Sequence, residues 1–268
     1  MKVVIGSSIW RTVEARHISS LVPLLREPGF AYAPQVGDAL IERARSINAT
    51  WFMNHTDADV HLSIDSDITD FRIEDVRKVC EQAMTHDIVC GLYVTRAGNQ
   101  KPFPTSMIEE GRDVTMGTFK DELIPLQWGA TGFMATHRRV FEKLSEGLPL
   151  LHKSNGDRAF YPFYQTMIVD WRGEQILLSE DYAFCQRAKD AGFGVWFNPG
   201  VRLGHIGQYP YRLEDMAADF IEPQPLVLRR TGPGASWTIR SRELAAEAVA
   251  QEELTHASDH RPQSATRT

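Results

Sequence analysis

The fold is decided by the segment Val60-His61-Leu62-Ser63-Ile64-Asp65-Ser66-Asp67. Apolar and polar side chains alternate over its first five residues, which predicts a β-strand. The strand ends on two carboxylates that are two positions apart, and such residues point to the same side of an extended chain. Asp65 and Asp67 can therefore converge on one cation, or on a cation and a ligand hydroxyl.

Helices and strands alternate on both sides of this segment. An apolar strand is predicted at Val3–Ile5 and another at Asp87–Tyr93, with helices at Asp38–Phe52 and Glu74–Met84 between them. This order predicts an α/β fold with a mostly parallel central sheet and flanking helices. Further elements are predicted as a strand at Trp128–Thr136, a helix at Arg138–Leu144, a helix at Glu180–Ala191 with Ser179 as N-cap and Gly192 as its stop, and a strand at Gly194–Phe197 before an Asn198-Pro199-Gly200 turn. Residues 97–125 are expected to form a loop or a small hairpin region, and residues 145–178 to be irregular.

The character of the chain changes near its carboxyl end. We expect one catalytic-type domain over residues 1–232, followed by residues 233–268 as a peripheral helix and a tail. The Ala- and Glu-rich stretch Glu243–Leu254 is typical of the helix, and His256–Thr268 lacks apolar anchors, which predicts disorder.

Composition excludes several classes of protein. The chain has 268 residues, 43% of them hydrophobic, which is ample for a sizeable core, and a formal net charge of −6, which disfavours sequence-independent nucleic-acid binding. Three scattered cysteines (Cys80, Cys90 and Cys185) do not suggest a disulfide framework. Neither a signal peptide nor an apolar run of about 20 residues is evident, so we expect a cytoplasmic protein.

The aspartate pair is expected at the edge of the sheet where ligands bind. Parallel α/β sheets place their ligand crevice at the carboxyl ends of the strands, where Asp65 and Asp67 follow Ile64. Two adjacent carboxylates repel each other unless a positive group lies between them. A divalent cation bridging to a diphosphate is the natural partner, and hard oxygen ligands suit Mn²⁺ or Mg²⁺. The alternative is a pair of turn-capping side chains.

A second acidic pair opens the predicted helix at Ser179-Glu180-Asp181. Acidic residues in a first helical turn interact favourably with the helix dipole, so capping alone can explain both carboxylates. The functional interpretation makes one of them a general base that deprotonates an acceptor hydroxyl. The dipole is expected to lower the pKa of that carboxyl.

Two glycine-flanked segments complete the set of candidates. His205 lies in Leu203-Gly204-His205-Ile206-Gly207 and is interpreted either as a nitrogen ligand beside the carboxylates or as a structural histidine. The segment Trp128-Gly129-Ala130-Thr131-Gly132-Phe133 has small residues against which an acceptor or sugar can lie, or which form a tight turn.

Taken in chain order, these segments resemble the GT-A glycosyltransferases, most nearly a bacterial and phage branch similar to family 2. The resemblance covers roughly residues 1–210. It is carried by Val3-Val4-Ile5-Gly6-Ser7, Arg43-Ala44-Arg45, Leu62-Ser63-Ile64-Asp65-Ser66-Asp67-Ile68, Ile88-Val89-Cys90-Gly91-Leu92-Tyr93, Trp128-Gly129-Ala130-Thr131-Gly132-Phe133-Met134, Ser179-Glu180-Asp181-Tyr182-Ala183-Phe184-Cys185 and Gly204-His205.

The resemblance implies a GT-A fold, transfer from a nucleotide-sugar donor, and roles for individual residues. Asp67 is similar to the metal-binding aspartate of the family's D-x-D motif, and Asp65 to its partner near the donor ribose. Asp181, with Glu180 beside it, is similar to the catalytic base of inverting members, and His205 to a histidine that completes the metal site. Gly6, Ser7 and Arg45 are similar to donor-binding positions, and Trp128, Thr131 and Gly132 fall in the segment assigned to the acceptor.

Two other functions and several details stay open at this stage. A sugar-phosphate nucleotidyltransferase also uses a metal on an α/β core, but Gly6-Ser7-Ser8-Ile9-Trp10-Arg11 lacks the glycine-rich phosphate loop of that class. A non-catalytic nucleotide-sugar-binding module would bind without turnover. UDP-sugars are favoured as donors, whereas the acceptor (a glycan, a lipid-linked sugar, a protein or a modified nucleic-acid base) and the stereochemistry are not determined.

Overall fold

The computed structural model of the protein describes residues 1–96, 102–116, 122–154, 156, 158–207, 210–216, 226–230 and 237–241. Its α-helices are α1 (Ala15–Leu24), α2 (Ile41–His55), α3 (Ile73–His86), α4 (Arg138–Ser145) and α5 (Glu180–Asp190), and a short 3-10 helix spans Leu213–Met216. Its strands are β1 (Val3–Ile9), β2 (Phe30–Val36), β3 (Val60–Ile64), β4 (Ile68–Thr69), β5 (Ile88–Leu92), β6 (Met107–Ile108), β7 (Asp113–Met116), β8 (Ile124–Trp128), β9 (Phe133–His137), β10 (Leu151–His152), β11 (Ala159–Phe160), β12 (Met167–Trp171), β13 (Glu174–Leu178), β14 (Val195–Arg202), β15 (Gly204–Ile206), β16 (Pro210–Tyr211), β17 (Leu226–Arg230) and β18 (Trp237–Ser241).

The chain divides into two compact units. The larger unit consists of Met1–Glu109 and Lys120–Met216, and the smaller of Glu110–Phe119 and Ala217–Thr268. In the smaller unit, β7, β17 and β18 form an antiparallel sheet in the order β18-β17-β7. All candidate site residues belong to the larger unit.

An eight-stranded sheet in the order β2-β1-β3-β9-β5-β14-β8-β6 runs through the larger unit. Strands β2, β1 and β3 pair in parallel, as do β5 and β14, whereas β9 and β8 run against their neighbours. Six of the eight strands therefore point in one direction, and their carboxyl ends share one edge. The predicted α/β fold, with a large and mainly parallel central sheet and flanking helices, is confirmed.

Strand β3 shows how the sheet separates two apolar layers. Leu62 and Ile64 are fully buried in a core cluster with Val79 and other residues of α3. His61, which precedes Leu62, points to the opposite face, where its ring packs against Phe52 of α2 and Phe141 of α4. Burial lowers the pKa of His61 to about 3, so this histidine is a neutral core residue. The layers fix β3, and hence the position of the two aspartates that follow it.

Several elements differ from the sequence expectations. The sequence did not predict α1, which contains Pro23, or β2, an edge strand that tolerates Pro34 because one side of it donates no ladder hydrogen bond. The single strand expected at 128–136 is two strands, β8 and β9, that lie apart in the sheet and are joined by residues 129–132. Residues 145–178, which were expected to be irregular, include the hairpin of β12 and β13.

One local prediction was wrong and two were confirmed. Ser179 is the N-cap residue of α5 as predicted, although its side chain makes no capping hydrogen bond and its hydroxyl donates instead to the Asp181 carboxylate. Asn198-Pro199-Gly200 lies within β14 as an irregularity of the strand and does not end it. The predicted stop at Gly192 is confirmed, because this glycine adopts the left-handed conformation with φ of 90° directly after the helix.

The expected helix at 243–254 and the disordered tail at 256–268 lie outside the described residues. Within the expected peripheral region, Trp237–Ser241 is a strand paired with β17. The proposed boundary at residue 232 stays a prediction.

Candidate active site

The aspartates lie where β3 ends at the shared edge of the sheet. The backbone N–H of Asp65 donates to the Gly132 carbonyl at 3.0 Å, which ties it to the segment before β9. Strand β15 pairs antiparallel with β4 so that His205 lies opposite Ile68. This pairing brings His205 Nε2 to within 3.6 Å of Asp67 Oδ2, although the two residues are far apart in the chain.

A cavity of about 350 Å³ opens at this edge. Its lining includes the end of β1, residues that follow β3 and β5, the amino-terminal parts of α2 and α5, and a residue of β15. The lining residues are Ser8, Ile41, Arg45, Asp65, Asp67, Tyr93, Arg96, Thr105, Ala130, Glu180, Asp181 and His205. Six residues predicted from the sequence (Arg45, Asp65, Asp67, Glu180, Asp181 and His205) thus surround one space.

Arg45, Asp65 and Glu180 form what we term the inner cluster. Arg45 Nη2 donates to Asp65 Oδ2 at 2.7 Å, and its Nη1 donates to Glu180. The Arg45 side chain is only 7% exposed. Burial alone would lower the pKa of Arg45, but the charges of Asp65, Glu180 and Asp181 outweigh it and raise that pKa. Arg45 is therefore a permanent cation held between two carboxylates.

Glu180 differs from the expectation for a helix-opening carboxylate. Burial raises its pKa, and Arg45, which lowers it, does not fully compensate. The expected lowering by the helix dipole is therefore wrong for Glu180, because desolvation of its carboxylate is the larger effect.

Asp67, Arg96 and His205 form the outer cluster. Arg96 Nη1 donates to Asp67 Oδ2 at 2.8 Å, and the Arg96 side chain is 50% exposed. Burial would raise the pKa of Asp67, but His205 and Arg96 lower it below its ordinary value. Asp67 is consequently an anion with two nitrogen groups facing it.

The orientation of His205 is set by the backbone. Its Nδ1 lies 2.7 Å from the Val94 carbonyl oxygen, which can only accept, so Nδ1 carries the proton. In the neutral ring, Nε2 then has a free lone pair facing the Asp67 carboxylate. Two acceptors at this separation call for a cation between them, which is either a proton on Nε2, the state in which His205 lowers the pKa of Asp67, or a metal ion. A histidine held in this way by its other nitrogen is the usual arrangement at metal sites.

Asp181 stands apart from both clusters. Its Oδ1 accepts from the Ser179 hydroxyl and from the Tyr182 backbone N–H at 2.9 Å. Since Arg45 binds Glu180, Asp181 is the member of the acidic pair that no arginine holds in the described part of the chain. Its carboxylate borders the cavity in a fixed orientation.

The cavity carries an excess of negative charge. Four carboxylates face two arginines, which leaves a formal charge of −2 when His205 is neutral. In addition, the buried Asp65 Oδ1 has no hydrogen-bond partner among the described residues. Within that part of the chain, no three His, Cys, Asp or Glu side chains form a ready-made metal site. The residues present fit a divalent cation that takes Asp67 and His205, with Asp65 nearby, and completes its shell from a ligand.

Two predicted donor-binding residues lie behind the cavity wall. Ser7 is fully buried, and a Cβ at Gly6 would stand 2.2 Å from the Asn48 side-chain oxygen and 2.4 Å from His61 Nε2. Gly6 is therefore required by close packing of β1 against α2. Ser8, the next residue along β1, lines the cavity in their place.

The predicted acceptor segment behaves similarly. Trp128 is buried, and its Nε1 donates to Gln186 at 2.9 Å. Thr131 is fully buried, and a Cβ at Gly132 would approach the Tyr93 hydroxyl to 2.4 Å. Of this segment, Ala130 lines the cavity. The three predicted residues support the wall, and their assignment to acceptor contacts stays a prediction.

Sequence reasoning missed Arg96 and Tyr93. Both follow β5, just as Asp67 follows β3. Their position directly after a predicted strand of the same sheet is the sequence feature that could have identified them. The Tyr93 hydroxyl accepts from the Gly132 N–H at 2.9 Å, and its ring packs edge-on against His205 at 5.2 Å. Tyr93 therefore helps to hold the His205 ring of the outer cluster in position.

Comparison with known proteins identifies relatives by structure alone. No family model matches the chain, and no curated protein is similar to it in sequence. The solved structure of A197 from STIV is similar, with a TM-score of 0.50 and 14% identity over 90% of this chain and 95% of that one. A second structure, GalNAc-T7 with UDP, GalNAc and Mn²⁺, gives a TM-score of 0.44 and 15% identity over 83% of this chain and 46% of that one. At these identities the similarity to A197 concerns the fold alone.

The described residues contain no helix that is both long and apolar enough to cross a membrane.

Proposed function

We propose that this protein is a metal-dependent glycosyltransferase of the GT-A type that takes a nucleotide-sugar donor, with UDP-sugars favoured. The observation that carries the proposal is the cavity of charge −2 at the carboxyl ends of the central strands, where the D-x-D pair, the acidic pair of α5 and His205 meet. Such a site suits a divalent cation bound to a diphosphate, because the cation offsets the negative charge of the carboxylates and of the diphosphate.

The two clusters suggest a division of labour. In the outer cluster, Asp67 and His205 would hold Mn²⁺ or Mg²⁺, and Arg96 would move from Asp67 to the donor phosphates. The cation would stabilise the charge that develops on the leaving nucleoside diphosphate. In the inner cluster, Arg45 keeps Asp65 and Glu180 in fixed positions beside the donor, which preserves the geometry of the site without reorganisation.

In the transfer step, Asp181 is assigned the role of general base. The acceptor hydroxyl oxygen attacks the anomeric carbon, the bond from that carbon to the diphosphate breaks, and the hydroxyl proton passes to the Asp181 carboxylate. Asp181 suits this role because Ser179 and Tyr182 orient it while no arginine neutralises it among the described residues. A single displacement of this kind inverts the configuration at the anomeric carbon.

The proposal is tested by thermal shift with nucleoside diphosphates and nucleotide-sugars, each with and without Mn²⁺. A ligand that binds the native state raises the melting temperature by mass action. We expect a rise with UDP or a UDP-sugar that requires Mn²⁺. The absence of a shift with every nucleotide would refute the proposal, and binding without turnover would identify a nucleotide-sugar-binding module.

The role of Asp181 is tested by Asp181→Asn. We expect metal-dependent nucleotide binding to persist, whereas release of nucleoside diphosphate from the donor should slow by about 10²–10⁴-fold, the usual contribution of a general base. Asp190→Asn, an exposed aspartate at the other end of α5, is the matched control and should leave the rate unchanged. Full activity in Asp181→Asn would remove the base assignment.

A further inference from the structure

The second half of α2 carries a face that does not pack into the core. Trp51, Asn54 and His55 follow one another at helical spacing and so lie on one side of the helix, and all three are exposed. Trp51 is 43% exposed, which is high for so large an apolar ring, and its ring centroid lies 6.3 Å from that of His55. This face needs an explanation beyond core packing.

An edge strand lies opposite this face. Strand β2 ends the central sheet and pairs only with β1 among the described strands. Between α2, β2 and the start of β11 is a pocket of about 600 Å³, lined in part by Tyr32, Gln35 and Arg158. This volume is within the range of about 300–1,000 Å³ that is usual for ligand pockets. It is larger than the catalytic cavity and is not used in the proposed transfer step.

The lining of this pocket, which we term the α2 pocket, has a consistent chemistry. It combines the rings of Tyr32, Trp51 and His55 with the amides of Gln35 and Asn54, and within the described residues it includes no Asp or Glu side chain. Arg158 Nη1 donates to Gln35 Oε1 at 2.8 Å, which fixes the orientation of that amide and leaves its NH₂ group as a donor.

These groups match the two kinds of surface that a sugar ring presents. A pyranose presents an apolar face of C–H groups, which packs against aromatic rings, and a rim of hydroxyls that both donate and accept hydrogen bonds. Amide side chains also both donate and accept, so Gln35 and Asn54 complement neighbouring hydroxyls. A nucleic-acid strand fits less well, because the pocket offers one arginine and the chain has a net charge of −6.

The α2 pocket lies beside the catalytic cavity. In the β1–β2 register, Ser8 is paired with Gln35; Ser8 lines the cavity and Gln35 lines the pocket. Arg45 and Trp51 lie on the same helix, six positions and hence about 9 Å apart along its axis. A chain molecule could therefore occupy the pocket with one end while its other end reaches the cavity.

We propose that the α2 pocket binds a saccharide chain and holds an oligosaccharide acceptor for transfer. The substrate class named here rests on the proposed glycosyltransferase function. The acceptor hydroxyl would enter the cavity near Asp181, and the preceding sugar units would stack on Trp51 and Tyr32.

The test uses the full chain labelled with 5-fluorotryptophan and followed by ¹⁹F NMR. The resonance of Trp51 is identified by its absence in Trp51→Phe, and those of Trp171 and Trp196 serve as internal references. The probes are neutral and uronic-acid-containing oligosaccharides of three to five units, together with single-stranded oligonucleotides of mixed sequence. We expect at least one saccharide series to shift the Trp51 resonance in a saturable manner while the references stay unchanged.

Variants confirm the location. Measured by isothermal titration calorimetry, which does not need the Trp51 signal, Trp51→Ala should weaken binding of the responding saccharide by about tenfold, as expected for loss of a stacking ring. Asn54→Ala should weaken it by about fivefold, as expected for loss of one hydrogen bond. Gln175→Ala and Leu177→Ala, which alter exposed side chains of the β12–β13 hairpin, are matched controls and should not change that affinity.

The outcomes separate this proposal from the proposed function. If nucleotides bind with Mn²⁺ but no saccharide shifts Trp51, or if only oligonucleotides do so, the assignment of the α2 pocket is overturned while the transferase proposal stands. If saccharides shift Trp51 but no nucleotide binds, the pocket is a saccharide site and the transferase proposal fails.

Discussion

The inner and outer clusters each contain an arginine bound to an aspartate, but the two arginines differ in burial. Each places an arginine on one aspartate of the D-x-D pair, at 2.7 Å from Asp65 and 2.8 Å from Asp67. The Arg45 side chain is 7% exposed, whereas that of Arg96 is 50% exposed. A buried ion pair is costly to break because it leaves an unpaired charge in the interior, but an exposed pair contributes little. The inner cluster is therefore a fixed part of the fold, and the outer cluster can exchange partners.

This difference assigns separate tasks to two residues that look alike in the sequence. Asp65 has one oxygen bound to a cation that belongs to the protein. Asp67 instead faces a half-exposed arginine and the imidazole of His205. A metal ion would thus find its binding site at Asp67, with Asp65 as part of the surrounding framework.

The largest effect is expected from removal of the inner cation. Arg45→Ala leaves the half-buried Asp65 and Glu180 carboxylates beside each other without their cation, and it should lower the free energy of unfolding by about 3 kcal/mol. Urea denaturation followed by circular dichroism measures this loss. Nearly all of it should come from the uncompensated carboxylates and not from the lost volume of the side chain.

A charge-neutral replacement tests that explanation. The triple variant Arg45→Met, Asp65→Asn, Glu180→Gln removes the cation together with both anions and should recover most of the lost stability. If Arg45→Ala lost less than about 1 kcal/mol, the inner cluster would behave like a surface pair, and the contrast between the clusters would disappear.

The next effect concerns metal binding at the outer cluster. Asp67→Asn should weaken Mn²⁺ binding by roughly 100-fold, at the upper end of what the loss of a group supporting a metal site costs. Electron paramagnetic resonance of free Mn²⁺ during titration gives the affinity. His205→Ala should show a smaller loss of about tenfold, since Asp67 supplies the charge and His205 a neutral nitrogen.

Asp65→Asn provides the comparison for this measurement. Because one oxygen of Asp65 is bound to Arg45, its substitution should reduce Mn²⁺ affinity less than Asp67→Asn does. An equal or larger loss in Asp65→Asn would show that both aspartates ligate the ion directly, and the division between the clusters would need to be withdrawn.

Local patterns predicted the frame of the site, because each depends on residues that are adjacent in the chain. The alternation in β3 and the D-x-D that follows it located Asp65 and Asp67 at the sheet edge. The helical pattern of α5 likewise placed Glu180 and Asp181 at its start. These features carry the α/β fold and four of the cavity residues.

The pairing of charges could not be predicted in the same way. Arg45 reaches Glu180 across 135 positions of the chain, and Arg96 reaches Asp67 across 29. Which arginine meets which carboxylate depends on strand order, and the sequence contains no local signal for the insertion of β9 between β3 and β5. The buried positions of Gly6, Thr131 and Trp128 likewise follow from packing between layers, since glycine and threonine occur equally in ligand-binding loops and in tight turns.

The smallest effect, and the sharpest for the comparison, is expected from Arg96→Ala. The pair with Asp67 is half exposed, so its loss should change the free energy of unfolding by less than about 1 kcal/mol. The guanidinium also competes with a metal ion for the Asp67 carboxylate. Its removal should therefore raise the affinity for Mn²⁺ in the absence of nucleotide by up to about fivefold. A factor of this size corresponds to the free energy of about 1 kcal/mol that an exposed ion pair contributes at most.

Arg77→Ala is the matched control, because Arg77 is also 50% exposed and pairs with Glu27 away from the cavity. It should change stability to the same small extent and leave Mn²⁺ affinity unaltered. If Arg96→Ala bound Mn²⁺ more weakly than the unmodified protein, Arg96 would be holding Asp67 in its metal-binding orientation. The outer cluster would then be as preformed as the inner one, and exposure alone would no longer distinguish them.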